Sequence, residues 1–392
     1  MENNLGLRIV KSYILQKENN MLSKKNNIIA AAIATVAMVA GLLFFVTTQS
    51  QAATLEDTCK STYDPKAVDL QKLRDCVKVY IDESVKKKGF MPTMDDLEAS
   101  VKSMPIINQV CHPFSHFIGA GAIKELKGDV SIAIKHATDY CNWGYFHGMN
   151  VELANMYDGQ ELFDILLDGC NYVKKYNYNP YECAHGMGDA IDVDTNYNYN
   201  EGLPYCESIE DEGMHENCAQ GLFNHWADYH IVNIAKDTPE LLTEEGKRIM
   251  NGSPYAPCET IKNAVSRRGC FDYMVRVNNA YKTGMAGWEN YCLKYDDPDQ
   301  MSCFKGVGRE WAYNKNYTTE QVFTKCLVAT TDLAEQICII ETINSRTQYM
   351  RDKKGSILKE TCALFKDNPS VQTACRRAAT NLKPYFDGDF IL

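Results

Sequence analysis

The spacing of the cysteines constrains this chain more than any other feature. Of sixteen cysteines, twelve fall into six close pairs: Cys170 with Cys183, Cys206 with Cys218, Cys258 with Cys270, Cys292 with Cys303, Cys326 with Cys338, and Cys362 with Cys375. Members of a pair stand 11 to 13 residues apart, and successive pairs begin 36, 52, 34, 34 and 36 residues apart. A repeat of this length marks stacked supersecondary units, none of which buries its apolar face alone. Cys59 with Cys76 reads as one more pair; Cys111 and Cys141 are 30 apart, and the spacing leaves their pairing open. An even cysteine count in a chain with an export-like start favours disulfides over thiolate metal clusters.

Each unit reads as two helices. Segment TTEQVFTKC ends at Cys326, and after a short link Leu333, Ile337 and Ile340 recur at i, i+4, i+7; Val371, Cys375, Ala378, Ala379 and Leu382 repeat the pattern. Asp297 before Pro298 and Asn368 before Pro369 read as N-caps, while Thr318 to Gln321 and Asp332 to Glu335 have capping-box spacing. Strand-like alternation is nearly absent. One cysteine near the end of a first helix and one near the start of the second would staple each hairpin, worth roughly 2 to 3 kcal/mol per bridge. The expected fold is all-α, a right-handed α-solenoid of about eight disulfide-stapled hairpins. Its shape resembles tetratricopeptide or Sel1-like solenoids; their signature residues are not legible, so no functional residue is carried over. The 52-residue step holds an insertion, placed at 236–253 and read as a longer loop or an extra helix, between N-terminal repeats at 53–235 and C-terminal repeats at 254–392.

Residues 1–52 read as an address. Ile28 to Val46 is an uncharged run of 19 residues, preceded by Lys24 and Lys25 and followed by TTQSQAA. It is long enough for a single transmembrane anchor with its basic side in the cytoplasm. Ser50 and Ala52 equally fit the −3 and −1 positions of a signal-peptide cleavage site, and Met21 offers an alternative start. Either way the rest of the chain lies outside the cytoplasm, secreted or anchored, with the membrane as a partner only if the segment is retained. The chain carries 41 basic against 51 acidic residues, net −10, and no basic stretch beyond the N-terminus, so nucleic acid is not an expected partner. Two sequons, at Asn251 and Asn316, fall in expected loops.

All eight histidines lie between His112 and His230. The second cysteine of a unit opens related strings: CNWGYFHG at Cys141, CAHGMGDA at Cys183, CAQGLFNH at Cys218, with CHPFSHFIG at Cys111 as a looser relative. Glycine recurs three residues after the cysteine, at Gly144, Gly186, Gly221 and Gly306, where it would permit close helix approach. Two and six residues after the cysteine the residues are polar: His147, His185 with Asp189, Gln220 with Asn224, Asp272 with Arg276, Lys305 with Arg309, then Asn344 and Asn381. Helical angles place them opposite the packed side. In the C-terminal half this reads as a solvated face, with Asp272 and Arg276 an i, i+4 surface pair.

In the N-terminal half it reads as a metal site. His112 with His116, and His185 with Asp189, each present two donors on one helical turn, and His147 lies between them in sequence. Nitrogen and carboxylate donors suit zinc, iron, copper or manganese. His225 is assigned outside the ligand set, as a supporting or acid–base group, and an open coordination position would activate water or oxygen. Without HExxH, CxxCH, GxSxG, a Walker A loop or GxGxxG, the sequence offers no zincin, c-type haem, serine-hydrolase or nucleotide signature, and no catalytic residue is assigned. The alternative is a non-enzymatic scaffold binding an extracellular protein or glycan. The tracts KKYNYNPYE and DTNYNYNEGLPY, read as long tyrosine- and asparagine-rich loops, would serve it. An EF-hand at Asp192 to Asn196 is excluded by the missing glycine and glutamate of that loop.

Overall fold

The computed structural model describes residues 53–386 apart from 63–69, 105–106, 108–110, 138–140, 142, 177, 233–241, 251–252, 254, 281–287, 314–317, 350–351, 353 and 384–385. The apolar run 28–46, the cleavage site and both sequon asparagines lie outside the described residues. The described residues from Leu55 onward form one compact unit. Among the described residues every regular element is helical, and no helix is long and apolar enough to cross a membrane.

In chain order the α-helices are α1 Leu55–Cys59, α2 Leu70–Lys88, α3 Phe90–Ser103, α4 His112–Glu125, α5 Val130–Lys135, α6 Gly144–Leu153, α7 Gly159–Val173, α8 Pro180–Asp194, α9 Tyr199–Glu207 and α10 Glu212–Ala227. They continue as α11 Glu244–Met250, α12 Ala256–Glu259, α13 Ala264–Ala280, α14 Trp288–Cys292, α15 Asp299–Tyr313, α16 Thr319–Cys326, α17 Asp332–Tyr349, α18 Ser356–Leu364 and α19 Pro369–Leu382. Helix α11 lies within the expected insertion, which thus carries an extra helix.

The cysteines explain the arrangement. Six bridges join a first helix to its second as the spacing predicts: α7 to α8, α9 to α10, α12 to α13, α14 to α15, α16 to α17, and α18 to α19. Cys59–Cys76 ties α1 to α2. Cys111–Cys141 is of another kind, because Cys111 caps α4 and Cys141 lies just before α6, so it fastens two second helices at their N-termini. All sixteen cysteines are bridged. The second helices pack each on the next, α4 on α6, α6 on α8, α8 on α10, α10 on α13, α13 on α15, α15 on α17 and α17 on α19, with each first helix against its own second.

Local chemistry sets the helix ends. Asn368 accepts from the Val371 N–H ahead of Pro369, and Thr318 and Gln321 form both halves of a capping box. Two expected caps are displaced. Helix α17 begins at Asp332 itself, and the Thr331 hydroxyl takes the Ala334 N–H; α15 begins at Asp299, beyond Asp297.

Glycines let the second helices touch backbone to backbone. A Cβ on Gly148 of α6 would stand 1.9 Å from the His116 carbonyl oxygen of α4, and one on Gly221 of α10 would stand 1.8 Å from the His185 carbonyl oxygen of α8. Intrinsic propensity favours alanine over glycine in a helix by about 1 kcal/mol. Here packing reverses the sign: Gly148→Ala is expected to destabilise the protein by roughly 3 kcal/mol in urea denaturation, as an overpacked core does. A stabilised variant would show that the two backbones are not in contact.

Candidate metal centre

The centre begins at the Cys111–Cys141 bridge, which brings the start of α4 against the segment leading into α6. His112, the first residue of α4, has its Nδ1 2.8 Å from the Cys141 carbonyl oxygen. A carbonyl only accepts, so in the neutral ring the proton sits on Nδ1 and the lone pair on Nε2. That Nε2 is 3.3 Å from His116 Nε2, one turn along the helix. Two nitrogens on one tetrahedral ion at roughly 2.1 Å stand roughly 3.4 Å apart, so the pair already has the spacing of an ion's coordination edge.

Helix α6 brings His147 against both, with ring centroids 5.1 Å from His112 and 5.3 Å from His116. Its Nδ1 lies 2.8 Å from Asp189 Oδ2, and its ring lies 5.1 Å from that of His185, both on α8. The backbone contacts at Gly148 and Gly221 hold α6 and α10 against the turns of α4 and α8 that carry His116 and His185. His147, His185 and Asp189 are 4%, 5% and 2% exposed. The five residues named by the sequence therefore come together, in two overlapping groups: His112, His116 and His147, and His147, His185 and Asp189, with the ligand atoms of each group within 4.8 Å of one another. His225 belongs to neither. Its Nδ1 lies 2.9 Å from Asp192 Oδ2, a fully buried carboxylate one turn beyond Asp189. One oxygen of each aspartate, Asp189 Oδ1 and Asp192 Oδ1, is buried with no hydrogen-bond partner.

The electrostatics favour neutral imidazoles at His116 and His185. Burial, reinforced by His112 and His147, holds His116 well below the usual histidine range. Burial pushes His185 down to about 3. For His147 burial acts in the same direction, but the Asp189 carboxylate outweighs it and raises the ring; burial raises Asp189, and His147 more than compensates, holding it below the usual carboxylate range. Burial lifts Asp192 to about 6 against the opposing effect of His225, and the Asp192 hydrogen bond lifts His225 against its own burial. The His185 shift has a measurable sign. Its folded-state value is depressed, so its stability contribution is present above the unfolded value near 6.5 and is lost as pH falls toward 3. Between pH 6.5 and 5 the metal-free wild type should lose about 2 kcal/mol that His185→Leu retains, read as a smaller drop in Tm for the variant. Parallel losses in both would mean that His185 is protonated in the folded chain.

The polar column differs from its sequence reading. The residues two and six after the cysteine are not a solvated face through the middle of the row: His147, His185, Asp189, Gln220, Asp272 and Arg309 are all buried. The cause is contact across the open side, between adjacent second helices and, for His185, beyond them. His185 of α8 packs on Tyr273 of α13 at 4.8 Å, passing over α10, and the Arg309 guanidinium of α15 lies over the same Tyr273 ring at 3.6 Å. Asp272 and Arg276 do not form the expected surface pair. Asp272 takes Arg309 at 2.6 Å, Lys305 at 2.9 Å and the Gln220 amide at 3.0 Å, while Arg276 turns to Asp228 at 3.2 Å. Only at the end of the row, at Asn381, is the column exposed.

The tyrosine tracts are not long loops either. Tyr199 and Tyr205 lie in α9, and half-buried Tyr178 donates to the Ala137 carbonyl at 2.7 Å beside Trp143 and Phe146. Asp192 and Tyr273 escaped the sequence reading as members of the site; the three-residue step from Asp189 to Asp192 on one helix face was the available signal for the first. Comparison with known proteins returns no matching family model, no matching curated protein and no matching solved structure, so the centre is read from its own geometry.

Proposed function

We propose that this is an extracytoplasmic metal-binding protein: a right-handed α-solenoid, stapled at every unit, that holds a transition metal at the junction of α4, α6 and α8. One observation carries the reading, the convergence of four histidines and Asp189 from three helices at ligand spacing, with a buried Asp189 oxygen that has no other partner. The donor set suits zinc, iron, copper or manganese. The succession of second helices supports the solenoid. Eight disulfides support an oxidising compartment outside the cytoplasm, and the apolar run 28–46 supports export, with the segment either cleaved or retained as a single membrane anchor.

If the ion keeps an open position it acts as a Lewis acid toward water or oxygen. The His225–Asp192 pair, with side chains 29% and 0% exposed, then has the form of an acid–base relay between the buried carboxylate and solvent. The test is thermal: zinc or cobalt added to chelator-treated protein should raise Tm, since ligand at a hundredfold excess over Kd adds about 2.7 kcal/mol. No shift with zinc, cobalt, copper, manganese or iron would remove the basis of the reading.

A second reading, a scaffold for an extracellular protein or glycan, has its own observation. Tyr197, Asn198, Tyr199, Trp226, His230 and Arg248 line a recess on the flank of α9 and α10, with the aromatic faces and amides that sugars use. It predicts ligand binding that survives His147→Ala and is lost in Tyr197→Ala, a partly exposed ring of that recess.

A further inference from the structure

The five donors do not form one set, and this inference, which rests on the metal reading above, follows from how they divide. His112, His116 and His147 are mutually within 4.8 Å, as are His147, His185 and Asp189, and His147 alone belongs to both groups. Ligands about 2.1 Å from one ion lie within about 4.2 Å of one another, so a single ion using all five would draw them into one group. An imidazole has two nitrogens, each able to hold an ion. In His147 the one turned to Asp189 is Nδ1, 2.8 Å from Oδ2.

A second observation places a need for positive charge on that side. Asp189 Oδ1 and Asp192 Oδ1 are both buried without a hydrogen-bond partner, three residues apart on α8. An ionised carboxylate oxygen taken out of water without a donor is costly, and a cation is the partner that satisfies it best.

We propose that the cluster is a binuclear centre in which two divalent transition-metal ions share the His147 ring. One ion is held by His112, His116 and one nitrogen of His147; the other is held by His147 Nδ1, His185 and Asp189. Arrival of the second ion displaces the Nδ1 proton to solvent and leaves the ring as an imidazolate; nothing is oxidised or reduced. The ion takes the place of the hydrogen bond between His147 and Asp189, and the neighbouring Asp192 carboxylate offsets part of its charge. His112 is aligned for the first ion by the Cys141 carbonyl, as ligand histidines commonly are by a group on their second nitrogen.

The experiment uses the full chain, purified oxidised in mild detergent, stripped with chelator and titrated with Cu(II) at neutral pH. Uptake of two equivalents is expected, with an integrated electron paramagnetic resonance signal well below two spins, because a shared imidazolate couples the ions. His112→Ala and Asp189→Asn should each take up one equivalent and show the full signal of one uncoupled ion. Should Asp189→Asn lack the helical circular dichroism of the wild type, His185→Gln takes its place. One equivalent in the wild type, two with an undiminished signal, or loss of all copper in both variants overturns the shared-ring centre while leaving a metal site in the wild type. Failure to bind copper, zinc or cobalt at all overturns the metal reading itself.

Discussion

Reduction of the eight disulfides is expected to abolish the cooperative thermal transition of the compact unit from Leu55 onward. The bridges close loops with sequence separations of 11 to 30 residues, and a bridge over about 15 residues contributes roughly 3 kcal/mol. A domain of ordinary stability has only about 5 to 15 kcal/mol in total, so the summed loss exceeds what the helical packing holds in reserve. The check is a melt followed by circular dichroism with and without a phosphine reductant, beside a thiol count in denatured, unreduced protein that should be near zero. A reduced protein melting within a few degrees of the oxidised one would show that packing alone suffices. The bridges should also differ in what they serve. Removing Cys111 and Cys141 together frees the segment whose carbonyl aligns His112, so it should weaken metal binding; removing Cys362 and Cys375, at the far end of the row, should cost stability and leave metal binding unchanged.

The second large effect is expected at His147, the residue common to both donor groups. Loss of an outer partner of a ligand typically weakens metal binding 10- to 100-fold, and Asp192→Asn, which touches His225 and acts on Asp189 only through its charge, should fall below that range. His147→Ala removes a donor from each group at once and leaves Asp189 buried without its imidazole. A weakening of roughly a thousandfold or more is expected, against the outer-partner range, measured by competition with a chromophoric chelator. His230→Ala serves as the control, since that ring is engaged by Thr243 and Tyr197 away from the cluster. Equal effects from the two variants would mean that histidine loss acts through stability rather than through coordination.

Much of this was legible in the residues. The cysteine spacing anticipates six hairpin bridges and Cys59–Cys76, because a disulfide needs close Cα atoms and two antiparallel helices joined by a short turn provide them. The i, i+4 pairs His112–His116 and His185–Asp189 anticipate the two outer corners of the centre. Helical angles alone, however, describe a helix with one packed side and one open side. They miss contacts made across the open side, so His185 against Tyr273, beyond the adjacent second helix, and Asp272 beneath Arg309 and Lys305 of the adjacent one read as surface when they are buried. Asp192 was hidden in the same way, since its partner His225 comes from the adjacent second helix, α10. The tyrosine tracts misled by composition: asparagine beside tyrosine signals turn, yet Asn179 and Asn198 are the N-caps of α8 and α9, and the tyrosines that follow are helical.

The most direct measurement is elemental analysis of the full chain, purified oxidised without a histidine tag, beside His147→Ala prepared identically. The account predicts a near-stoichiometric or higher transition-metal content in the wild type, recovered after stripping and reloading at neutral pH, and a loss of that metal in the variant with its circular dichroism unchanged. A wild type that holds no transition metal even after reloading, or a variant that holds as much as the wild type, would contradict it.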